Sequence, residues 1–315
     1  MTTRPEDAGP LRSSPLPVPS NGDIAWSLPY RPPYDGPAML RFLQARAIPG
    51  VEVVTAHTYT RVIEIGGDVG WVQVAFAPER DALYVTGHFP EPAAFASIEA
   101  RLRHLFDLDA DPRLIGSTLA KDAALAPLVA RHPGLRLPGA WDGLEIGVRV
   151  ILGQQIAVRA ATILSGKLTV ALGTPRSSGL DRPGLTHTFP AAHRLTSEAV
   201  AQIGLPRVRA MAIAALASAV QSHPDFFGPG DDPEEAIARF CALPGIGPWT
   251  AQMMALRVLH DPDAFPAADA ALRRRGAVCA GCTTSIALLA RAERWRPWRA
   301  YAALHLWMSE SDPSS

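Results

Sequence analysis

The chain has 315 residues, 48% of them hydrophobic, enough for one large globular domain or two to three subdomains around substantial cores. Its formal net charge is zero, so any nucleic-acid partner must be met by local charge and not by the total. Three cysteines, Cys241, Cys279 and Cys282, exclude a disulfide scaffold, and Cys279-x-x-Cys282 lacks the second pair that a zinc or iron–sulfur site needs. No apolar run reaches the ~18 residues of a membrane span and no leader is visible, so the expected setting is cytoplasmic, without a membrane.

In chain order, residues 1–25 are rich in Pro, Ser and Gly and read as a disordered tail. Residues 26–112 read as an α+β N-terminal subdomain. Met39, Leu40 and Leu43 mark a helix from Pro37 to Ala47, and Val51 to Ile65, Trp71 to Ala77 and Ala82 to Gly87 carry the β-branched and aromatic residues of a small antiparallel sheet. Ala93 to Leu108 returns to helical spacing.

Residues 113–232 read as a mostly α-helical subdomain. Pro133 to Gly139 breaks the pattern before helices at Trp141 to Gly153 and Arg159 to Leu172. Residues 173–190, with three Gly and three Pro, read as an irregular surface connection. Helices are expected again at Ser197 to Ile203, Pro206 to Gln221 and Pro233 to Ala242. The subdomain 233–309 ends with Ser285 to Arg294 and Pro297 to Met308, before a short tail, 310–315.

The stretch with most chemistry runs from Leu243 to Arg275. Pro244, Gly245, Ile246 and Gly247 form a tight turn between two helical patterns, a helix-hairpin-helix. Glycine tolerates positive φ and lets a phosphate approach the backbone, and the N–H groups opening the helix at Trp249 attract an anion. Asp269 follows Gly247 by 22 residues, at the start of another helix. An Asp there is ordinarily an N-cap, and the same carboxylate can also act chemically. From Ala270 to Ser315 seven arginines face three acids, a local basic excess. Only Lys121 and Lys167 are lysines, so few amines could serve as nucleophiles.

Five runs carry a resemblance: PPYD from Pro32, GLRLPG from Gly134, GVRVILGQQIAV from Gly147, the hairpin with Asp269, and AERWRPWRAYAALHLW from Ala292. From about Trp26 to Met308 the chain resembles the bacterial alkylation-inducible 3-methyladenine DNA glycosylases, type II, of the helix-hairpin-helix superfamily. The resemblance implies an enzyme that binds double-stranded DNA with alkylated bases, flips out the damaged nucleotide and hydrolyses its N-glycosidic bond, as a monomer without a cofactor. It places the catalytic carboxylate on Asp269, where a charge would stabilise the developing oxocarbenium ion.

It further implies a base pocket of Phe42, Trp249 and Trp307, in which aromatic faces select cationic purines. Met253 and Met308 stand where relatives have tyrosines. DNA contacts are implied at Gln154, Gln155, Gly245, Ile246 and Gly247, with Gln155 at the position of an apolar wedge. A monovalent cation is implied on the backbone of Cys241, Leu243 and Ile246. The alternatives are a bifunctional glycosylase/AP lyase, whose relatives carry a Lys where Trp249 stands, and a non-catalytic hairpin protein that only grips DNA.

Overall fold

The protein was described from a computed structural model covering residues 14–15, 23–176, 182–228 and 232–309. Among the described residues six strands form one antiparallel sheet: β1 (Ser14–Pro15), β2 (Ile24–Pro29), β3 (Glu52–Val54), β4 (Thr58–Ile65), β5 (Asp68–Ala77) and β6 (Ala82–His88), in the order β1-β2-β6-β5-β4-β3. The β4–β5 turn uses Gly66 and Gly67 at positive φ, and its register sets Val62 opposite Trp71. One face of the sheet packs on α1 (Gly36–Gln44) and α2 (Phe95–Leu105), with Leu28, Tyr59, Val74 and Leu83 against Leu40, Ile98 and Leu102.

The expected strand Val51 to Ile65 is two strands, because Thr55 Oγ accepts the N–H groups of His57 and Thr58 and turns the chain. Part of the expected tail 1–25 lies among the described residues. Ser14–Pro15 pairs with Ser27 and Trp26, and β2 starts at Ile24; the rest of residues 1–22 lies outside the described residues, as does 310–315.

Helices follow: α3 (Pro112–Leu119), α4 (Ala126–Arg131), α5 (Gly143–Leu152), α6 (Val158–Leu172), α7 (Ser197–Ala201), α8 (Arg207–Ser222), α9 (Pro233–Cys241), α10 (Pro248–Met254), α11 (Ala270–Ala280), α12 (Ser285–Ala292) and α13 (Arg299–Met308). Many begin where the sequence supplies a cap: Asp111, Asp142, Asp232 and Thr284 each accept a first-turn N–H.

Two helical cores result. Val148 and Ile151 of α5, Ile213 and Leu216 of α8, Phe240 of α9 and Met254 of α10 form one; Leu272 of α11, Leu288 of α12 and Leu306 of α13 belong to the other. Ile115, Leu119 and Leu128 of α3 and α4, which follow the expected boundary at 113, pack into the C-terminal core. The physical reason is long-range: buried Asp122, just after α3, accepts both Arg291 nitrogens at 2.8 and 2.6 Å and the Trp295 indole at 2.9 Å.

The connection 173–190 is less superficial than its composition suggests. Leu185 is buried against Val62 and Trp71, and the Arg182 guanidinium lies 3.6 Å from the Trp71 ring centre; residues 177–181 lie outside the described residues. Among the described residues no helix is long and apolar enough to cross a membrane.

Candidate active site

The hairpin is α9, the turn Ala242 to Gly247, and α10. Gly245 takes φ +77°, and a Cβ there would stand 2.8 Å from that of Ala212. Gly247 does not share this conformation: at φ −91° and ψ 177° it is extended, with open space where a Cβ would go. Its role in the turn is therefore not backbone freedom, and what its hydrogen leaves clear is the approach from outside. No side chain caps α10, so its first-turn N–H groups are left for solvent or an anion.

Asp269 caps α11: its Oδ1 accepts the Leu272 N–H at 2.8 Å. The same oxygen accepts the Trp307 indole N–H at 3.0 Å, and Oδ2 accepts that of Trp249 at 3.2 Å. Three donors from three helices thus fix the carboxylate plane, and Oδ2 keeps lone-pair capacity toward the neighbouring cleft. The cap expected of this residue is present, and the same carboxylate also lines a cleft.

That cleft encloses about 730 Å³, and Phe42, Trp249, Met253, Asp269, Trp307 and Met308 all line it. Residues spread over 267 positions of sequence are thereby brought to one cleft. The two tryptophans also donate their in-plane indole N–H groups to Asp269, which leaves their ring faces uncommitted. Phe42 differs: the Arg46 guanidinium lies 3.8 Å and that of Arg257 4.8 Å from its ring centre. A ring already attracting two protein cations has less to offer a third.

Sequence reasoning missed these arginines. After α10 the helix widens into a π turn, Ala255–Leu259, which ends at His260 with φ +58°. Arg257 on this turn is buried and donates to the carbonyl of Pro138 at 2.7 Å and weakly to that of Gly139. Burial, with Arg46 and Arg149 nearby, pushes its guanidinium well below the usual arginine range. Burial and the charge of Arg149 bring Arg46 down to about 10. A π turn has no simple sequence signature, so nothing in the helical pattern marked Arg257.

The quoted runs also have architectural work. Asp35 caps α1 and meets His132 Nδ1 at 3.0 Å, and its N–H donates to the Gly134 carbonyl, so PPYD and GLRLPG pack together. Arg136 is buried between them, donating to the carbonyls of Asp107, Ala110 and Arg31. Behind the cleft, Arg61 meets Glu145 at 2.7 Å, and Arg149 bridges Glu145 and Glu52, joining the sheet to α5. Burial pushes the Glu52 carboxyl up, but Arg149, Arg61, the Ile48 N–H and the Tyr59 hydroxyl outweigh it and hold it below the usual range.

Gln154 faces the hairpin: its amide donates to the Gly245 carbonyl and to Thr250 Oγ, both at 3.0 Å. Gln155 is exposed. The carbonyl of Leu243 accepts the Ile246 N–H, closing the turn. The basic excess after Ala270 is largely consumed internally. Arg275 binds Ser309, Arg291 binds Asp122, and Arg296 and Arg299 bind Asp263 and Glu293. Of the C-x-x-C, Cys279 lies in α11 and Cys282 is buried after it, and both are free thiols. Among the described residues no three His, Cys, Asp or Glu side chains could hold a metal.

Comparison with known proteins gives the following. Residues 25–142 match the family model of the AlkA N-terminal domain. The chain is 37% identical over 290 residues to DNA-3-methyladenine glycosylase 2 of Escherichia coli, covering 90% of this chain and 97% of that one. It is also 37% identical over 296 residues to a probable bifunctional transcriptional activator/DNA repair enzyme AlkA of Mycobacterium tuberculosis, covering 93% of this chain but only 58% of the relative's length. In three dimensions it is similar to the 3-methyladenine DNA glycosylase of Archaeoglobus fulgidus, with a TM-score of 0.81, 21% identity, and 92% and 100% of the two chains covered.

Proposed function

The chain belongs to the DNA-3-methyladenine glycosylase 2 family, and from that premise we propose that it is a monofunctional DNA glycosylase releasing alkylated bases, 3-methyladenine and 7-methylguanine among them, in base excision repair. The observation that carries this reading is the Asp269 carboxylate, held by Trp249 and Trp307 on the wall of a cleft large enough for a nucleotide.

The duplex would be held at the hairpin, where the N–H groups opening α10 and the clear approach over Gly247 suit a phosphate. The damaged nucleotide enters the cleft, and its base stacks against the aromatic wall. As the N-glycosidic bond lengthens, positive charge grows on the sugar. Asp269 stabilises that charge through its fixed carboxylate, and Oδ2 is the oxygen with capacity to orient a water toward the anomeric carbon. The bonding pair leaves with the base, the water's oxygen forms the new bond to the anomeric carbon, and the proton it loses passes by way of the Asp269 carboxylate to solvent. An alkylated purine departs neutral, so it needs little protonation.

The neutral carbonyls of Cys241, Leu243 and Ile246 suit a monovalent ion better than a divalent one, because no carboxylate or imidazole cluster accompanies them among the described residues. A cation bound there would add positive charge behind a phosphate. Lyase chemistry is disfavoured, since a Schiff base needs an amine and neither Lys121 nor Lys167 lines the cleft. The protein would act as a cytoplasmic monomer on double-stranded DNA.

Chromatography of bases released from methylated DNA tests the reading. Free 3-methyladenine, with an abasic strand that is not nicked and no adduct trapped by borohydride, is expected. Release of 8-oxoguanine from oxidised DNA with no release from methylated DNA would overturn it.

A further inference from the structure

Between the hairpin and the mouth of the cleft the chain turns at the end of α5. Gly153, Ile156 and Ala157 of this turn line the cleft. Gln154 is tied to the hairpin through its side chain, and its carbonyl accepts the Arg209 guanidinium at 2.8 Å. The turn is therefore anchored to both α8 and the hairpin. Gln155, between these anchored residues, is exposed, lines no part of the cleft, and sits at φ +58°. That left-handed conformation is costly for a residue with a long side chain, and glycine or asparagine would adopt it more easily. Strain of this kind at the edge of a functional cleft points to a use for the side chain it holds out.

Resting on the reading that a nucleotide leaves the duplex for this cleft, we propose that Gln155 enters the vacated space and hydrogen-bonds to the base left opposite, whichever of the four it is. A primary amide carries an acceptor and a donor side by side. Adenine and cytosine present an exocyclic donor next to a ring acceptor on their pairing edges; guanine and thymine present an exocyclic acceptor next to a ring donor. Turning the amide through a half-rotation converts a match for one pair into a match for the other. Gln155 thus satisfies any orphaned base with two hydrogen bonds and prefers none. An apolar side chain in that place could only stack, leaving the base's polar edge unpaired.

The test uses binding, which needs no chemistry. Duplexes carry a tetrahydrofuran abasic analogue opposite adenine, cytosine, guanine, thymine, or difluorotoluene, a thymine isostere without hydrogen-bonding groups. The wild-type chain should bind the four natural duplexes comparably and the difluorotoluene duplex about tenfold more weakly than its thymine counterpart, the usual scale for a lost buried pair of hydrogen bonds. Gln155→Leu and Gln155→Ala should both abolish that gap while remaining folded. Equal wild-type affinity for thymine and difluorotoluene, a strong preference among the natural bases, or a gap that persists in both variants would overturn the proposal. Failure to release methylated bases would count against the proposed function alone, whereas wild-type indifference between analogue and intact duplexes would overturn both.

Discussion

The Trp307 indole N–H and Asp269 Oδ1 are 3.0 Å apart, although 38 positions separate the two residues. This bond joins α13 to the start of α11 and, with the Leu272 N–H on the same oxygen, leaves Trp249 as the donor to the other.

Asp269→Asn keeps the shape of the side chain and can still cap α11. It removes the charge. Excision of 3-methyladenine should fall by ~10²–10³ or more, as expected when one well-placed electrostatic group is lost, while duplex affinity changes little. Single-turnover release and a binding titration on the same variant separate the effects; near wild-type release by a folded variant would reduce Asp269 to a cap.

Trp307→Phe retains the ring in the cleft and deletes only its donor to Asp269. The carboxylate then loses one of its three restraints. A reduction of roughly 10- to 100-fold in excision rate is expected from its looser placement, with a smaller effect on binding. If KM rises and kcat does not, the indole acts mainly as a binding surface.

The two hairpin glycines should respond differently to valine. Gly245→Val meets positive φ and Ala212 at once, so it should lower thermal stability along with every activity. Gly247→Val places its side chain in open space and should fold normally. It should weaken binding to damaged and undamaged duplexes alike, because the bulk stands where a phosphate approaches. Melting curves paired with duplex titrations distinguish the outcomes.

Asp122 makes stability pH-dependent in a definable window. Hydrogen bonds from Arg291, with those from Trp295 and the Ala124 N–H, overcome burial and hold its carboxyl down at about 2, against an ordinary 3.8. A depressed folded-state value means that the contribution is complete above the unfolded value and is lost as pH falls from about 4 toward 2. Asp122→Asn should cost roughly 1.5–3 kcal/mol at neutral pH, the scale of hydrogen bonds to a charged group. It should also flatten the acid limb of stability in that window. Urea unfolding at several pH values checks both, and an unchanged acid limb would dissociate Asp122 from it.

What the sequence by itself determined is local. Turn chemistry at Gly245, the cap at Asp269, and periods of helix and strand depend on neighbours a few residues away, so they can be read without coordinates. The family resemblance extended this to the base-pocket residues Phe42, Trp249, Met253, Trp307 and Met308, which the structure gathers on one cleft with Asp269. The tertiary structure decided how they are used. Only long-range packing could commit both indoles to Asp269, set Arg46 and Arg257 over Phe42, and bind Asp122 to Arg291 across 169 positions, thereby moving α3 and α4 into the C-terminal core. Such pairings depend on distances that no local pattern encodes, and the orientation of the carboxylate, on which the proposed chemistry rests, is one of them.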